Sequence, residues 1–550
     1  MRTPYPRTPH LPWSPGATTD DVRVTGLSGF RGREVVVTEK LDGENTTLYA
    51  DGLHARSPDS APHPSRTWVK ALQGRIGHAI PAGRRVCGEN MYARHSIAYE
   101  DLDSYFYGFS VWEADGRCLG WDETVSCLRA LGIPVPRVLW RGTFDERALR
   151  ALRVDQDRQE GYVVRTVEGF TDDDFGRRVA KWVRPNHVRT GTHWMHAAVV
   201  QNGLGRHAPL WAVRAGAAAD AQALAAALGV PGGDAEALGR LEAVGQSGDV
   251  RLSGVLAALL HGSRRSWLAP TLAPTLGMPL ARRVADLVGL HPALHRPYPD
   301  EERRAGLVRL SYAADLGVLH AVARATARDH EAREQVEWSA LHAQDAGPLA
   351  GLREVFAGLD TDASARCLAE AREAYALGRI RTAGEAVAAT WRWRSGAFPK
   401  LIQMVGPSGS GKSTFARELA GVDALVSLDD LREARGSRAD QKANADILRT
   451  GLDRLDAALA SGGTVVWDAT SLNQQQRSLV HSVARRRDAL VTHTVVLVDE
   501  DELTRRNAAR EHPVPTRVLA AQLHRFGPPY PGQAHRTWYI GASGTIEEEA

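Results

Sequence analysis

The nine residues Gly406–Thr414, GPSGSGKST, constrain this chain more than any other stretch of it. They satisfy G-x-x-x-x-G-K-[ST], follow the apolar run LIQMV and precede a helix-forming segment, which is the context the motif requires. Such a loop wraps phosphates with its backbone N–H groups, aided by the positive end of the helix behind it. Lys412 is then expected to neutralise the β and γ phosphates and Ser413 to ligate Mg²⁺, with Gly406, Gly409, Gly411 and Thr414 completing the cradle. Further strands are expected at Leu425–Leu428, Thr464–Trp467 and Val495–Val498. Strands alternating with helices in this way predict a parallel α/β domain over residues 396–550.

The loop alone specifies nucleotide phosphates; the residues after it specify more. SLDDLR places Asp429 at a strand end with Arg432 three residues on. A carboxylate there can take the proton of an acceptor hydroxyl while the arginine holds a phosphate. VVWDATSLN ends a strand in Asp468, and ELTRRNAAR sets Arg505, Arg506 and Arg510 on one helix, as phosphate clamps or as a solvated face. In this order the segment over about 398–535 resembles the 5′-polynucleotide kinase branch of the P-loop family. The resemblance implies Asp429 as general base, Arg432 on the acceptor's 3′ phosphate, and Arg510, with Arg506, as lid arginines.

Lysine is scarce: Lys40, Lys70, Lys181, Lys400, Lys412 and Lys442 are the whole set. Where arginine has been used almost everywhere else, a retained lysine marks chemistry that a guanidinium cannot do, such as attack through a neutral amine. Lys40 opens K-x-D-G with Asp42 and Gly43 at the end of a β-like run. Arg56 follows in LHARS, Glu89 in CGEN, Phe109 in YFYGFSVW, Glu160 in QEGYVVR, and Lys181 with Arg184 in KWVR. A lysine amine can attack the α-phosphate of ATP and expel pyrophosphate, leaving a lysyl-AMP phosphoramidate. Positive charge from Lys181 and Mg²⁺ is expected to lower the Lys40 pKa. Asp42 or Glu89 is suited to the ribose, Phe109 to stacking on adenine, and Glu160 to a metal.

This set, over about residues 20–195, resembles the covalent nucleotidyltransferase superfamily, and within it the RNA ligase branch containing phage and kinetoplastid editing ligases. One departure stands out. That branch usually separates two lysines by one residue in its last motif, whereas here the second cation is Arg184, one position later. DNA ligases and capping enzymes follow this domain with an OB fold, for which residues 200–250 show no β-barrel signature.

Between the two motif sets, residues 201–249 form an Ala/Gly-rich helical junction, and 250–395 read as helical throughout from apolar spacing. The latter resembles a degenerate HD-like helical domain: His261 is followed by Gly262 rather than Asp, while Asp315 stands where a last ligand would. The expected fold class is thus multidomain, with an α+β nucleotidyltransferase (ATP-grasp-like ligase) domain over 1–200, an all-α middle domain and an α/β P-loop kinase domain. The four cysteines lack metal-ligand spacing, and the absence of a long apolar run or signal segment predicts a cytoplasmic protein. The acidic end EEEA is expected to fray.

A kinase that phosphorylates a 5′-OH makes the substrate of a 5′-phosphate/3′-OH ligase. The combined expectation is an RNA end-healing and sealing enzyme using ATP and Mg²⁺, with Mn²⁺ as an alternative, on broken RNA strands. Two other readings stand beside it: a small-metabolite kinase with an N-terminal nucleotide-binding regulator, and a self-adenylating nucleic-acid damage sensor that does not seal.

Overall fold

The computed structural model describes residues 2–185, 198–242, 244–245, 247–297, 299–344, 346–434 and 444–550. Lys442 lies outside them. The chain divides into two compact units, residues 1–232 with 243–255, and residues 233–242 with 256–550. Among the described residues no helix is long and apolar enough to cross a membrane.

The strands in chain order are β1 (Glu34–Lys40), β2 (Glu44–Tyr49), β3 (Gly52–Ala55), β4 (Arg85–Asn90), β5 (Phe106–Trp112), β6 (Arg117–Cys118), β7 (Val138–Thr143), β8 (Gly161–Thr166), β9 (Phe170–Thr171) and β10 (Val179–Val183) in the first unit. The second unit holds β11 (Lys400–Val405), β12 (Ala424–Ser427), β13 (Thr464–Asp468), β14 (Leu490–Val496), β15 (Arg536–Ile540) and β16 (Ile546–Glu549).

The first unit is built on two antiparallel sheets, ordered β10-β8-β1-β7 and β3-β2-β4-β5-β6-β9. Helices Thr67–Ile76 and Trp121–Ala130 bury Val69, Leu72, Ile76 and Leu128 against Leu48, Val86, Phe106 and Val111 of the larger sheet. β1 is the centre of the smaller sheet: Val35, Val36 and Val37 are all buried, so an uninterrupted valine run suits it better than alternation. A further cluster joins Cys87, Trp112, Cys118 and Phe170 of the larger sheet to Val179 of the smaller one and to Phe175, with Tyr5, Phe109 and Val163 packed against it. That cluster carries the floor of the cleft described below.

The second unit has a six-stranded sheet, β12-β13-β11-β14-β15-β16, parallel through β15 and antiparallel at β16. The acidic end does not fray. It forms β16, whose Glu548 receives two 2.7 Å bonds from Arg282 of helix Met278–Leu290. Arg282 and Arg265 both donate to Asp286, a carboxylate with 0% exposure. A buried charge of this kind persists only when paired, so these bonds tie the helices to the sheet. Arg366 bonds the Ala489 carbonyl, and Asp362 takes Lys400 and Arg536. The helical region is otherwise as its periodicity predicts, with helices Arg265–Leu276, Met278–Leu290, Asp300–Ser311, Leu316–Thr326, His330–Ala343 and Thr361–Ala376. Asp315 is engaged as the N-cap of Leu316–Thr326, accepting Val318 N–H at 3.0 Å. His261 pairs with Asp234 at 3.0 Å. Among the described residues no group of three or more His, Cys, Asp or Glu side chains is placed to hold a metal.

β14 begins five residues before the expected Val495, because its middle, Thr492-His493-Thr494, is polar yet buried. His493 meets His481 of helix Gln474–Arg486, Nε2 to Nε2, at 2.8 Å with the rings stacked. One ring must donate and the other accept, so the two cannot both be protonated. Burial, with His535, Arg477 and Arg485 nearby, pushes His481 down to about 4, and burial with His481 pushes His493 well below its ordinary range. Unfolded histidines titrate near 6.5. The unfolded chain therefore takes up protons that the folded pair refuses, and stability present above pH 6.5 is lost as the pH falls towards 4. The loss from His481 alone is roughly 3 kcal/mol. Urea unfolding between pH 7.5 and 4.5 measures it, and a His481→Leu/His493→Val double variant should lose that part of the slope.

Candidate active sites in the two units

Lys40 ends β1, which pairs antiparallel with β8 in the register Lys40↔Gly161. Glu160, one residue before β8, is thereby set against the Lys40 ammonium, and the two form an ion pair. Gly161 is required by a neighbour: a Cβ there would come within 1.9 Å of the Trp182 carbonyl on β10. The E-G dipeptide thus joins a charge partner to a close backbone approach. Gly43 is similar, since a Cβ would meet the Asn90 carbonyl at 2.6 Å.

Lys40 lines an open-mouthed cleft of about 180 Å³. Lys40, Glu89, Arg56, Phe109 and Lys181 all line it. Burial lowers the Lys40 pKa, but Glu160, Glu89 and Asp42 outweigh it and hold the ammonium above its ordinary value. The expected depression is therefore absent from this arrangement, where three carboxylates surround the amine and Lys181 is the lesser influence. Burial lowers Lys181, and the Lys40 charge adds to that. Burial pushes Glu89 up to about 8, partly opposed by Lys40.

Two expected residues are placed differently. The Asp42 carboxylate turns to the following loop, accepting Ser96 N–H at 2.8 Å and Ile97 N–H at 3.0 Å. It holds backbone, which leaves Glu89 as the one of the two expected ribose carboxylates that lines the cleft. Arg184 is 1% exposed, donates to the Gln156 carbonyl, and is not among the cleft-lining residues. Its neighbour Val183 closes β10, so the side chain one position past the strand end points into the protein.

Sequence reasoning missed Asn45, which lines the cleft with its Oδ1 buried and without a partner. Its signal was its position, five residues after Lys40 at the start of β2. It also missed Asn202, whose side chain accepts Tyr99 N–H at 3.1 Å and donates to the Met91 carbonyl at 2.8 Å. Tyr99 in turn accepts Asp42 N–H. Arg165 lines the same cleft, donating to the Phe109 and Leu119 carbonyls beneath Trp121 and Phe170.

In the second unit the phosphate loop connects β11 to helix Lys412–Glu418. Gly409 (φ 83°) and Gly411 (φ 99°) hold the left-handed conformations that fold the loop back over its own amides. Lys412 donates to the Pro407 carbonyl at 2.7 Å, and burial pushes it down to about 8, against the pull of Asp468 and Asp429. Asp468, at the end of β13, is 6% exposed. Burial raises its pKa, opposed by the Ser413 hydroxyl that donates to it. Paired hydroxyl and carboxylate oxygens beside a phosphate loop are donors that suit a hard divalent cation.

Asp429 lies in the first turn of helix Leu428–Glu433, its side chain 60% exposed and ion-paired with Arg432. Arg506 is already engaged, with Glu502 at 2.6 Å, the Ser410 carbonyl at 3.3 Å and the Ala542 carbonyl at 2.8 Å. It braces the phosphate loop and is not an open clamp. Arg510 is exposed, just past helix Glu500–Ala508, close enough for its charge to act on Lys412. Thr414 is exposed on the helix after the loop.

Residues 33–183 match the family model described as RNA ligase, and residues 401–529 match one described as AAA domain. The chain therefore carries an RNA-ligase-like domain in its first unit and a P-loop domain in its second. No curated protein matches the sequence. Similar solved structures include the Pnkp1/Rnl/Hen1 RNA repair complex, at 24% identity over 24% of this chain and 49% of that one, TM-score 0.22. Naegleria gruberi RNA ligase with PPi matches at 20% identity over 30% of this chain and 56% of that one, TM-score 0.23. Mycobacterium tuberculosis APS kinase CysC in complex with AMPPNP and APS matches at 21% identity over 20% and 70%, TM-score 0.18. The chain spans about half the length of the first of these structures.

Proposed function

We propose that this chain repairs broken RNA, phosphorylating a 5′-OH end in its second unit and sealing the resulting 5′-phosphate to a 3′-OH in its first, with ATP used by both. The observation that carries the reading is the meeting of Lys40, Glu89, Lys181 and Phe109 in one cleft, with Glu160 ion-paired to Lys40, on the same chain as a complete phosphate loop.

In the first unit the Lys40 amine attacks the α-phosphorus of ATP. The Nζ–P bond forms as the P–O bond to pyrophosphate breaks, and the amine proton must already have left. Glu160 is the residue that would hold a divalent cation in this unit, Mg²⁺ or Mn²⁺, and Ser413 the one that would hold another at the phosphate loop of the second unit; an ion at Glu160 would screen phosphate charge and compete with Lys40 for that carboxylate. Lys181 opposes reprotonation of the amine and faces the departing pyrophosphate, Arg56 reaches in from the rim, and Phe109 offers its ring to adenine. AMP passes from Lys40 to the RNA 5′-phosphate, and the 3′-OH displaces it. In the second unit Asp429 takes the proton of the 5′-OH as that oxygen attacks the γ-phosphate. Lys412 and Arg510 balance the charge, and Arg432 holds the acceptor's 3′ phosphate.

One observation favours a second reading. With Arg184 turned inward, the cleft lacks the second cation of the last ligase motif, as expected of a protein that adenylates itself without sealing. A single experiment separates the two. RNA with 5′-OH and 3′-OH ends is incubated with γ-labelled ATP, then treated with phosphatase. Label that enters the RNA and becomes phosphatase-resistant supports kinase and ligase together. Label that enters but stays phosphatase-sensitive, with AMP still on the protein, favours the sensor. Label that enters only small metabolites sinks the RNA reading.

A further inference from the structure

The arm of residues 2–16 lies outside the segment that matches the RNA ligase family, yet it forms part of the cleft wall: Tyr5, Pro6 and Thr8 line it beside Lys40 and Phe109. It is fixed to both sheets. At one end, the Tyr49 hydroxyl of β2 accepts Thr3 N–H at 3.0 Å, and Arg85 of β4 donates to the Thr3 carbonyl at 3.0 Å. At the other end it runs beside β10. Lys181 N–H donates to the Pro9 carbonyl at 2.9 Å and the Lys181 carbonyl accepts Leu11 N–H at 2.8 Å. Both backbone groups of the cleft lysine are thus held by the arm. Between the anchors, the Tyr5 ring stands edge-on to Phe109, centroids 5.1 Å apart, and edge-on to Phe175 at 5.3 Å.

We propose that Tyr5–Leu11 is an integral part of the nucleotide site and sets its affinity for ATP, Tyr5 by backing the Phe109 ring and Pro9 with Leu11 by fixing Lys181. The inference rests on the adenylyl-transfer reading of the cleft. The geometry gives the reason. Phe109 has protein on the Tyr5 side and the cleft on another, so a missing Tyr5 leaves the ring free to turn away from a stacked base. Lys181 lies on the edge strand β10, and among the described residues the arm is what satisfies its outward backbone groups. Neither Tyr5 nor Pro9 touches the reacting atoms. They are positioning residues, and their loss should act on binding.

The test measures the ATP dependence of Lys40 labelling in the full chain for wild type, Tyr5→Ala, Tyr5→Phe and Thr8→Trp, with thermal melting as the fold control. Tyr5→Ala is expected to raise KM for ATP about tenfold or more, as misplacement of a binding group does, with the saturating rate within about threefold. Tyr5→Phe should rescue it, because the ring does the backing. Thr8→Trp narrows the cleft without touching the core, so it gives the same rise in KM even where Tyr5→Ala melts too low to assay. Labelling of wild type with KM for Tyr5→Ala and Thr8→Trp within twofold of it would overturn the inference and leave the adenylyl-transfer reading standing. Absence of both labelling and ATP binding in wild type overturns that reading, and the inference with it.

Discussion

Lys40→Ala and Lys40→Arg should both lose protein-bound AMP, by at least about 10³-fold in rate, within the range seen when a covalent nucleophile is removed. The pair of variants separates two roles. In the folded cleft Lys40 is a nucleophile candidate and also the counter-charge for Glu160, Glu89 and Asp42. Alanine removes both and leaves Glu160 without its ion-pair partner, so a lower melting temperature is expected alongside the lost activity. Arginine keeps the positive charge against Glu160, but its guanidinium does not deprotonate and cannot attack phosphorus. Lys40→Arg should therefore be as inactive as Lys40→Ala while melting close to wild type. The measurement is acid-labile label from α-labelled ATP on denatured protein, after pyrophosphate treatment to discharge AMP already present. Labelling that survives in Lys40→Arg would move the nucleophile elsewhere and remove the basis of the ligase reading.

Those same residues show what a sequence discloses and what it withholds. β1 was legible as the β-like run that ends at Lys40, because a valine run between turn formers has few other structural uses. Lys40, Glu89, Phe109 and Lys181 were legible as a set because the chemistry fixes their types. Side-chain direction at chain corners was not. Asp42 and Glu89 are both acidic residues near the cleft, but Asp42 faces a turn whose free amides capture it, and nothing local to KLDG announces Ser96 and Ile97. Arg184 and Arg506 were read as open cations. An arginine with five donors readily finds carbonyls, however, and Gln156, Ser410 and Ala542 are distant in the chain. β16 was missed because IEEE has the composition of a solvated tail. It becomes a strand through pairing with β15 and through Glu548 meeting Arg282, 266 positions away. Its acidic residues also suit an edge strand, where charge discourages pairing with a second chain. Composition describes the solvent-facing side of an element; what pairs with it is a long-range fact.

The second unit yields the other large effect. Asp429→Asn should lower the rate of phosphate transfer to a 5′-OH RNA by about 10²–10⁴-fold, the usual range for loss of a general base. KM for ATP should stay near wild type. Two carboxylates compete for that role, and their surroundings divide the work. Asp468 is buried and receives the Ser413 hydroxyl beside the phosphate loop, so it is placed on the donor-nucleotide side. Asp429 is mostly exposed in the first turn of its helix, held by Arg432, and open to an incoming hydroxyl. Asparagine keeps the size and the capacity to accept a hydrogen bond from Arg432, but cannot take a proton at neutral pH. The loss should therefore fall on kcat. Asp468→Asn should instead raise KM for ATP and the cation concentration needed for half-maximal rate, because it weakens the oxygen pair that suits the metal. Arg432→Ala supplies the third comparison: its cost should be large for RNA bearing a 3′ phosphate next to the 5′-OH nucleoside and small for a nucleoside lacking it. If Asp429→Asn raises KM for ATP at an unchanged kcat while Asp468→Asn abolishes transfer, the roles are reversed. The hydroxyl would then approach from the buried side of the loop, where only an acceptor smaller than a polynucleotide can reach.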